Sequence, residues 1–102
     1  MDVFMRAAIL LTLILTSCAT ELTPEGENVR LVDSQSDFNC RFITTVTASE
    51  SMGLDSSDDA QGAMNELRND AAISGANAIR VINIESTPDN TTAIAEALDC
   101  EF

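Results

Sequence analysis

An apolar run near the amino terminus divides the chain and limits how many residues are left for a folded domain. Residues 7–16 read AAILLTLILT and are apolar apart from two threonines. Ten helical residues, at about 1.5 Å each, cannot cross a hydrocarbon core of about 30 Å. The length instead fits the apolar part of a secretory signal. Residues 1–17 are therefore predicted to be a removable leader, and residues 18–102 form the body.

The leader ends in a pattern that resembles a bacterial lipobox. Leu15, Thr16 and Ser17 supply a branched apolar residue and two small residues, and Cys18 follows them. The resemblance implies that the Cys18 thiol receives a diacylglyceryl group, that the leader is cut before it, and that the new amine is acylated. One fatty chain holds a membrane only marginally, whereas two or more hold it stably. The alternative is an ordinary signal peptide in which Cys18 is incidental.

The residues after Cys18 predict the membrane and the reach of the anchor. Lipoproteins kept in the inner membrane usually carry Asp at the next position, so Ala19 implies the outer membrane by resemblance. Residues 19–27 contain Pro, Gly and three Glu, which predicts an acidic tether at 18–27. About ten residues reach at most ~35 Å. The domain at 28–102 is therefore expected to stay near the membrane, facing the periplasm.

Four strand-like runs and one helix-like run predict a small α+β domain. The strands are expected at 28–33, 40–48, 77–86 and 92–102, with the helix between the second and third. The last run has Ala and Glu suited to a helix, but it also alternates as a strand does, so a helix there is the alternative. The order β-β-α-β-β predicts a sandwich in which one helix packs on one face of a mostly antiparallel sheet.

The expected helix carries start and stop signals as well as an apolar stripe. Ser56 or Ser57 is predicted to cap it, and Asp58 and Asp59 lie in its first turn, where carboxylates favour the positive end of the helix dipole. Gly75 is placed to end the helix in a left-handed conformation. The stripe recurs at steps of three and four residues: Ala60, Ala63, Met64, Leu67, Ala71 and Ser74.

The second strand and the two remaining cysteines set further expectations. Alternation places Cys40, Phe42, Val46 and Ala48 on one face of the strand. With Cys18 lipidated, Cys40 and Cys100 are an even pair in an oxidising compartment, which favours a disulfide. Closing a loop of about 60 residues contributes roughly 4 kcal/mol in the chain-entropy model. The alternative is a redox-sensing pair, which needs nearby cations, whereas the surrounding charge is mostly negative.

The charge balance excludes some partners. The chain has 17 Asp and Glu against 5 Arg, with no Lys and no His, and its net charge is −12. Nucleic acid is therefore not an expected partner, since phosphate backbones demand cationic contacts. The acidity is typical of a solvated surface. The alternative is an acidic patch that binds a basic partner or a divalent cation.

The residue inventory also limits the chemistry. Without His and Lys the chain has no His-based acid–base pair, no usual zinc site and no Schiff-base lysine. No catalytic residue, metal ligand or cofactor is therefore predicted, and the protein is not expected to be an enzyme. Residues 55–59 (DSSDD) lack the spacing of a calcium loop and are interpreted as a helix start. Arg68 is expected to pair with Asp70 or Glu66, and a contact with a partner protein is the alternative.

The body resembles a known family of short proteobacterial lipoproteins. The similar segments are LTPEGENVRLV, the cysteine that opens a strand, the block ELRNDAAISGANAIRV and the terminal cysteine. The family is known as domain of unknown function 4156, and the resemblance covers nearly all of the body. The layout of a lipid anchor and a small disulfide-bonded α+β domain is more distantly similar to the outer-membrane sensor lipoprotein of the Rcs phosphorelay.

These features together predict a non-enzymatic outer-membrane lipoprotein that acts through protein contacts in the envelope, as an assembly or stress-sensing accessory. Its expected partners are the membrane, through Cys18, and an envelope protein. The alternative is a module that binds a small ligand or a divalent cation on its acidic surface.

Overall fold

The computed structural model describes residues 20–33, 39–51 and 56–102, and it confirms the predicted α+β order. A short 3₁₀ turn comes first, and the C-terminal run is a strand rather than a helix. The elements are the turn Gly26–Asn28, β1 (Arg30–Leu31), β2 (Asn39–Glu50), α1 (Ser56–Ile73), β3 (Ala78–Ser86) and β4 (Thr91–Glu101).

The four strands form one mostly antiparallel sheet in the order β1-β3-β4-β2. β3 and β4 are an antiparallel hairpin, and its turn is closed by the Thr87 N–H donating to Asn90 O at 2.7 Å. β2 is antiparallel to β4 along its whole length. β1 is parallel to β3 over two residues only. β4 therefore lies inside the sheet and β2 lies at one edge.

The central position of β4 explains why an alanine-rich segment is extended here. Ala93, Ala95 and Ala97 are buried on the face that carries the helix, while Ile94 and Glu96 lie half-buried on the other face. This is the alternation of a strand. Alanine has a strong helix propensity, but pairing on both sides overrides such a weak local preference.

One stripe of α1 packs on the sheet. Ala63, Leu67 and Ala71 are fully buried, as predicted. Ala60 and Met64 are half-buried, whereas Ser74 is exposed because the helix ends at Ile73. The two predicted aspartates lie in the first turn, and Gly75 has a φ of 87°, which confirms the left-handed helix end. The side chains of the predicted capping serines lie outside the described part of the chain.

The prediction that one face of β2 carries Cys40, Phe42, Val46 and Ala48 is wrong. The register between β2 and β4 shifts between Phe42 and Thr44, so β2 contains one extra residue there. Because side chains alternate with a period of two, one inserted residue moves everything before it to the opposite face. Val46 and Ala48 join the core beneath the helix, whereas Cys40 does not.

A second, smaller apolar cluster lies on the face away from α1. Neighbouring residues in a strand point to opposite faces, and Ile79 belongs to the core under the helix while Ala78 belongs to the second cluster. The second cluster contains Val32, Ala78, Leu98 and Cys100, with Cys40 packed against it. The sheet is thus apolar on both faces near the carboxyl end of β4.

Candidate functional site: the helix face that holds the amino-terminal segment

Polar side chains of α1 bind the main chain of residues 20–29, which we call the strap. Asn65 donates from Nδ2 to Thr20 O at 3.0 Å. Asn69 donates from Nδ2 to Glu21 O at 2.8 Å. Asparagines four residues apart lie on the same face of a helix, so the two amides reach successive parts of the strap. The strap therefore has a defined path along α1.

Asn69 uses both ends of its amide. Its Oδ1 accepts from the Thr23 N–H at 2.8 Å and from the Thr23 hydroxyl at 3.1 Å. Gly26 packs against the same atom, because a Cβ at that position would clash with Asn69 Oδ1. Gly26 is also buried. The strap thus needs a glycine at this position for its close approach to the helix.

Arg68 binds the end of the strap. Its Nε donates to Val29 O and its Nη2 donates to Glu27 O, both at 3.1 Å. The prediction that Arg68 pairs with Asp70 or Glu66 is wrong: its hydrogen-bond partners are main-chain carbonyls. Residues two positions apart on a helix do not face each other, so neither acid is a natural partner for this guanidinium.

The segment predicted as a tether therefore packs on the helix from Thr20 onward. Its Pro, Gly and Glu content indicates no regular structure, and apart from a single turn it has none. Its partners are helix side chains more than forty positions along the chain in sequence, as in the Thr23 to Asn69 separation of 46. A local pattern contains no signal for such distant contacts.

We expect Asn69→Ala to release the strap. The variant loses three hydrogen bonds, each contributing about 1 kcal/mol, so the free energy of unfolding should fall by roughly 1–2 kcal/mol after local relaxation. Limited digestion with a glutamate-specific protease should cut faster at Glu21 and Glu25. Asn83→Ala, on the exposed part of β3, is the matched control and should leave the cleavage rate unchanged. Equal cleavage rates for the two variants would contradict the role of Asn69.

The disulfide between Cys40 and Cys100 is present, and Asn77 binds the main chain of Cys100 beside it. Cys40 and Cys100 are direct cross-strand partners with Cα atoms 3.9 Å apart. Asn77 donates from Nδ2 to Cys100 O and accepts the Cys100 N–H on Oδ1, both at 2.8 Å. The main-chain N–H and C=O of Cys100 therefore point toward Asn77 and away from β2. Its pairing with Cys40 is of the non-hydrogen-bonded kind, in which side chains come closest.

The end of β2 places an acidic side chain beneath the helix. Glu50 is 8% exposed, and within the described residues its Oε1 is buried without a hydrogen-bond partner. A Cβ added at Gly62 would lie 3.1 Å from the Glu50 side chain. The glycine therefore leaves the space that the glutamate occupies. The second strand was predicted to end at residue 48, whereas β2 continues to Glu50.

Glu66 lies on α1 beside the same strand, and the pKa of its carboxyl is raised above the usual 4.5. Burial is the main cause. The negative charges of Glu50 and Asp70 raise the pKa further, while a backbone hydrogen bond from Ser49 lowers it. Glu66 also borders a concavity of about 420 Å³ lined mainly by Thr47, Ser49, Asn83, Thr92 and Ile94.

The raised pKa of Glu66 predicts a pH dependence of stability. The folded protein holds this proton more tightly than the unfolded chain, so its stabilising effect is present at low pH and is lost as the pH rises through the folded pKa. We therefore expect Glu66→Gln to melt at a higher temperature than the parent at about pH 7 and to lose that advantage near pH 4. Glu101→Gln removes an exposed carboxylate and controls for net charge. An advantage of equal size at both pH values would contradict this account.

The remaining predicted site residues have separate outcomes. Cys18 lies outside the described residues, so its lipidation stays a prediction. Among the residues that the structure describes, no three acidic or cysteine side chains are placed to hold a metal ion. No helix in that part of the chain has the length and apolarity needed to span a bilayer.

Fold and site together define a small disulfide-bonded α+β domain whose helix binds its own amino-terminal segment. Residues 20–100 match the family described as Domain of unknown function (DUF4156), and the chain belongs to that family. It is similar to "Uncharacterized protein YjeI" of Escherichia coli K12 and of Shigella flexneri, at 32% identity over 96 residues and 82% of each chain. No solved structure matches it.

Proposed function

We propose that the protein is an outer-membrane lipoprotein, anchored through Cys18, whose domain faces the periplasm and acts there by protein contact rather than by catalysis. The observation that carries the proposal is the disulfide. The Cys40–Cys100 bond uses two of the three cysteines and fits an oxidising compartment. Cys18 remains, and it follows the apolar run and the small residues that resemble a lipobox.

The strap supports a position close to the bilayer. Ala19 alone separates Cys18 from Thr20, whose carbonyl Asn65 binds. Two residue steps span at most about 7 Å, so a lipid on Cys18 would hold the domain directly at the membrane surface. A flexible tether of ten residues would allow about 35 Å. A domain held in this way meets partners that lie at the membrane, which fits an accessory in envelope assembly or stress sensing.

The proposal is tested by the intact mass of the protein recovered from membranes, with and without reduction before alkylation. We expect an acylated mature chain that starts at Cys18 and gains two alkyl groups only after reduction. Cys18→Ser should yield an unacylated chain that leaves the membrane fraction, whereas Ser17→Ala, which keeps a small residue before the cysteine, should stay in it. An unacylated mass with three alkylatable thiols would overturn the proposal.

The contact role has its own test. A survey of crosslinks in live cells should recover an envelope protein together with the anchored domain. A survey that recovers none, with the anchor confirmed, would contradict the contact role and leave the localisation intact.

A further inference from the structure

The edge strand β2 lacks the features that usually protect an exposed sheet edge. Alternate N–H and C=O groups of an edge strand face outward, and natural edges carry charges, prolines or bulges that prevent pairing with another strand. β2 has one bulge next to Phe42. The bulged residue is Ile43, and residues 44–48 beyond it read TTVTA, with no charge and no proline, although the chain has a net charge of −12. This stretch is open to pairing, whereas the Ser49 backbone that follows it is hydrogen-bonded to the Glu66 carboxylate.

The opposite edge of the sheet is better protected. β1 covers the first two residues of β3, Ala78 and Ile79. The uncovered remainder of β3 has a register shift after Val81 and carries Arg80 and Glu85. Charge and a bulge are the protective features that residues 44–48 lack.

We propose that residues 44–48 pair antiparallel with the same residues of a second copy, so that two sheets join into one across a two-fold axis. Main-chain hydrogen bonds along the shared edge supply the attraction, as in strand addition by peptides. A two-fold contact uses the same surface on both copies. An edge without charge is where two copies of a chain with a net charge of −12 can meet.

The charges at the two ends of this stretch are complementary. Antiparallel pairing brings the start of one β2 beside the end of the other. Arg41 stands at the start, and its side chain is 77% exposed, with Asp99 at 3.4 Å. Glu66 of α1 lies beside the end of β2, where its carboxylate accepts a hydrogen bond from the Ser49 backbone. Arg41 keeps Asp99 of its own chain as a partner and meets Glu66 of the second copy, so the dimer gains two symmetric Arg41–Glu66 contacts.

The orientation of Arg41 is consistent with these contacts. Arg41 neighbours Cys40, which faces away from the helix, so Arg41 points to the helix side of the sheet, where Glu66 lies.

The test is photo-crosslinking of the full chain in cells. A photoreactive amino acid replaces Thr45, which is exposed near the middle of the stretch. We expect a crosslinked species of twice the monomer mass that contains peptides of this chain alone. Arg41→Glu and Glu66→Arg should each lower its yield roughly tenfold or more, because like charges then face each other across the interface. Combining the two substitutions should restore the yield.

Two controls separate this contact from general crowding and from misfolding. The same photoreactive residue at Ile84, on the other edge, should give no dimer. Glu85→Arg makes the same charge change away from β2 and should leave the dimer yield at Thr45 unchanged. Each variant is checked for the oxidised Cys40–Cys100 bond, so that only folded chains are compared. A Thr45 crosslink to another protein, no crosslink at all, or reversal variants whose combination fails to restore the dimer would overturn the proposal.

Discussion

Replacing both Cys40 and Cys100 by alanine should lower the free energy of unfolding by about 4 kcal/mol. The bond joins residues 60 positions apart, so its loss frees a long loop in the unfolded chain. A domain of this size has a total stability of roughly 5–15 kcal/mol. The double variant should therefore unfold at a much lower urea concentration, which circular dichroism measures directly.

A reduction experiment controls for changes in packing. The wild-type protein unfolded in the presence of a reductant should approach the midpoint of the double variant, because both chains then lack the same crosslink. Cys18→Ala, which removes the cysteine outside the pair, should leave the midpoint of the oxidised protein unchanged. A double variant as stable as the oxidised parent would show that the bond does not stabilise the fold.

Leu67→Ala should destabilise the domain by about 3 kcal/mol or more. Leu67 is fully buried, and it is the largest side chain in the centre of the stripe that α1 presents to the sheet. The surrounding core is rich in alanine, with Ala63, Ala71, Ala95 and Ala97 fully buried. Alanine has no side-chain freedom with which to fill a cavity, so the space left by the leucine stays open.

The same helix offers a matched control for Leu67. Ile73 is 85% exposed at the end of α1, and Ile73→Ala should change the free energy of unfolding by no more than about 0.5 kcal/mol. The free energies of unfolding of both variants and of the parent are measured by urea unfolding. They are compared once the slope of this free energy against urea concentration is the same for all three proteins. Equal effects of the two substitutions would show that α1 does not pack on the sheet through Leu67.

Much of the fold follows from patterns that act over short distances. The stripe containing Ala63, Leu67 and Ala71 and the left-handed position of Gly75 are local features, and the structure confirms both. The pairing of Cys40 with Cys100 follows from residue counting and compartment. The sequence left open whether the last segment is a helix or a strand, because alanine suits a helix and alternation suits a strand.

The strap was not predictable from the same patterns. Asn65, Arg68 and Asn69 read as an ordinary polar helix face, and residues 19–27 read as a tether. Their hydrogen bonds join positions about forty to fifty apart. The signal that was available is the resemblance to the family, in which the similar block ELRNDAAISGANAIRV contains Arg68 and Asn69, but the resemblance does not say what these residues contact.

The sequence by itself determined the buried stripe of the helix, its left-handed glycine end and the cysteine pairing, because propensity, periodicity and residue counts are properties of short segments or of the whole composition. The tertiary structure alone decided which face Cys40 occupies, where β4 lies in the sheet and how the strap binds α1. One extra residue in β2 moves the residues before it to the opposite face of the sheet, and no local pattern marks its position. Contacts between distant segments also leave no local pattern. These features depend on which segments become neighbours, and that is settled only when the chain folds.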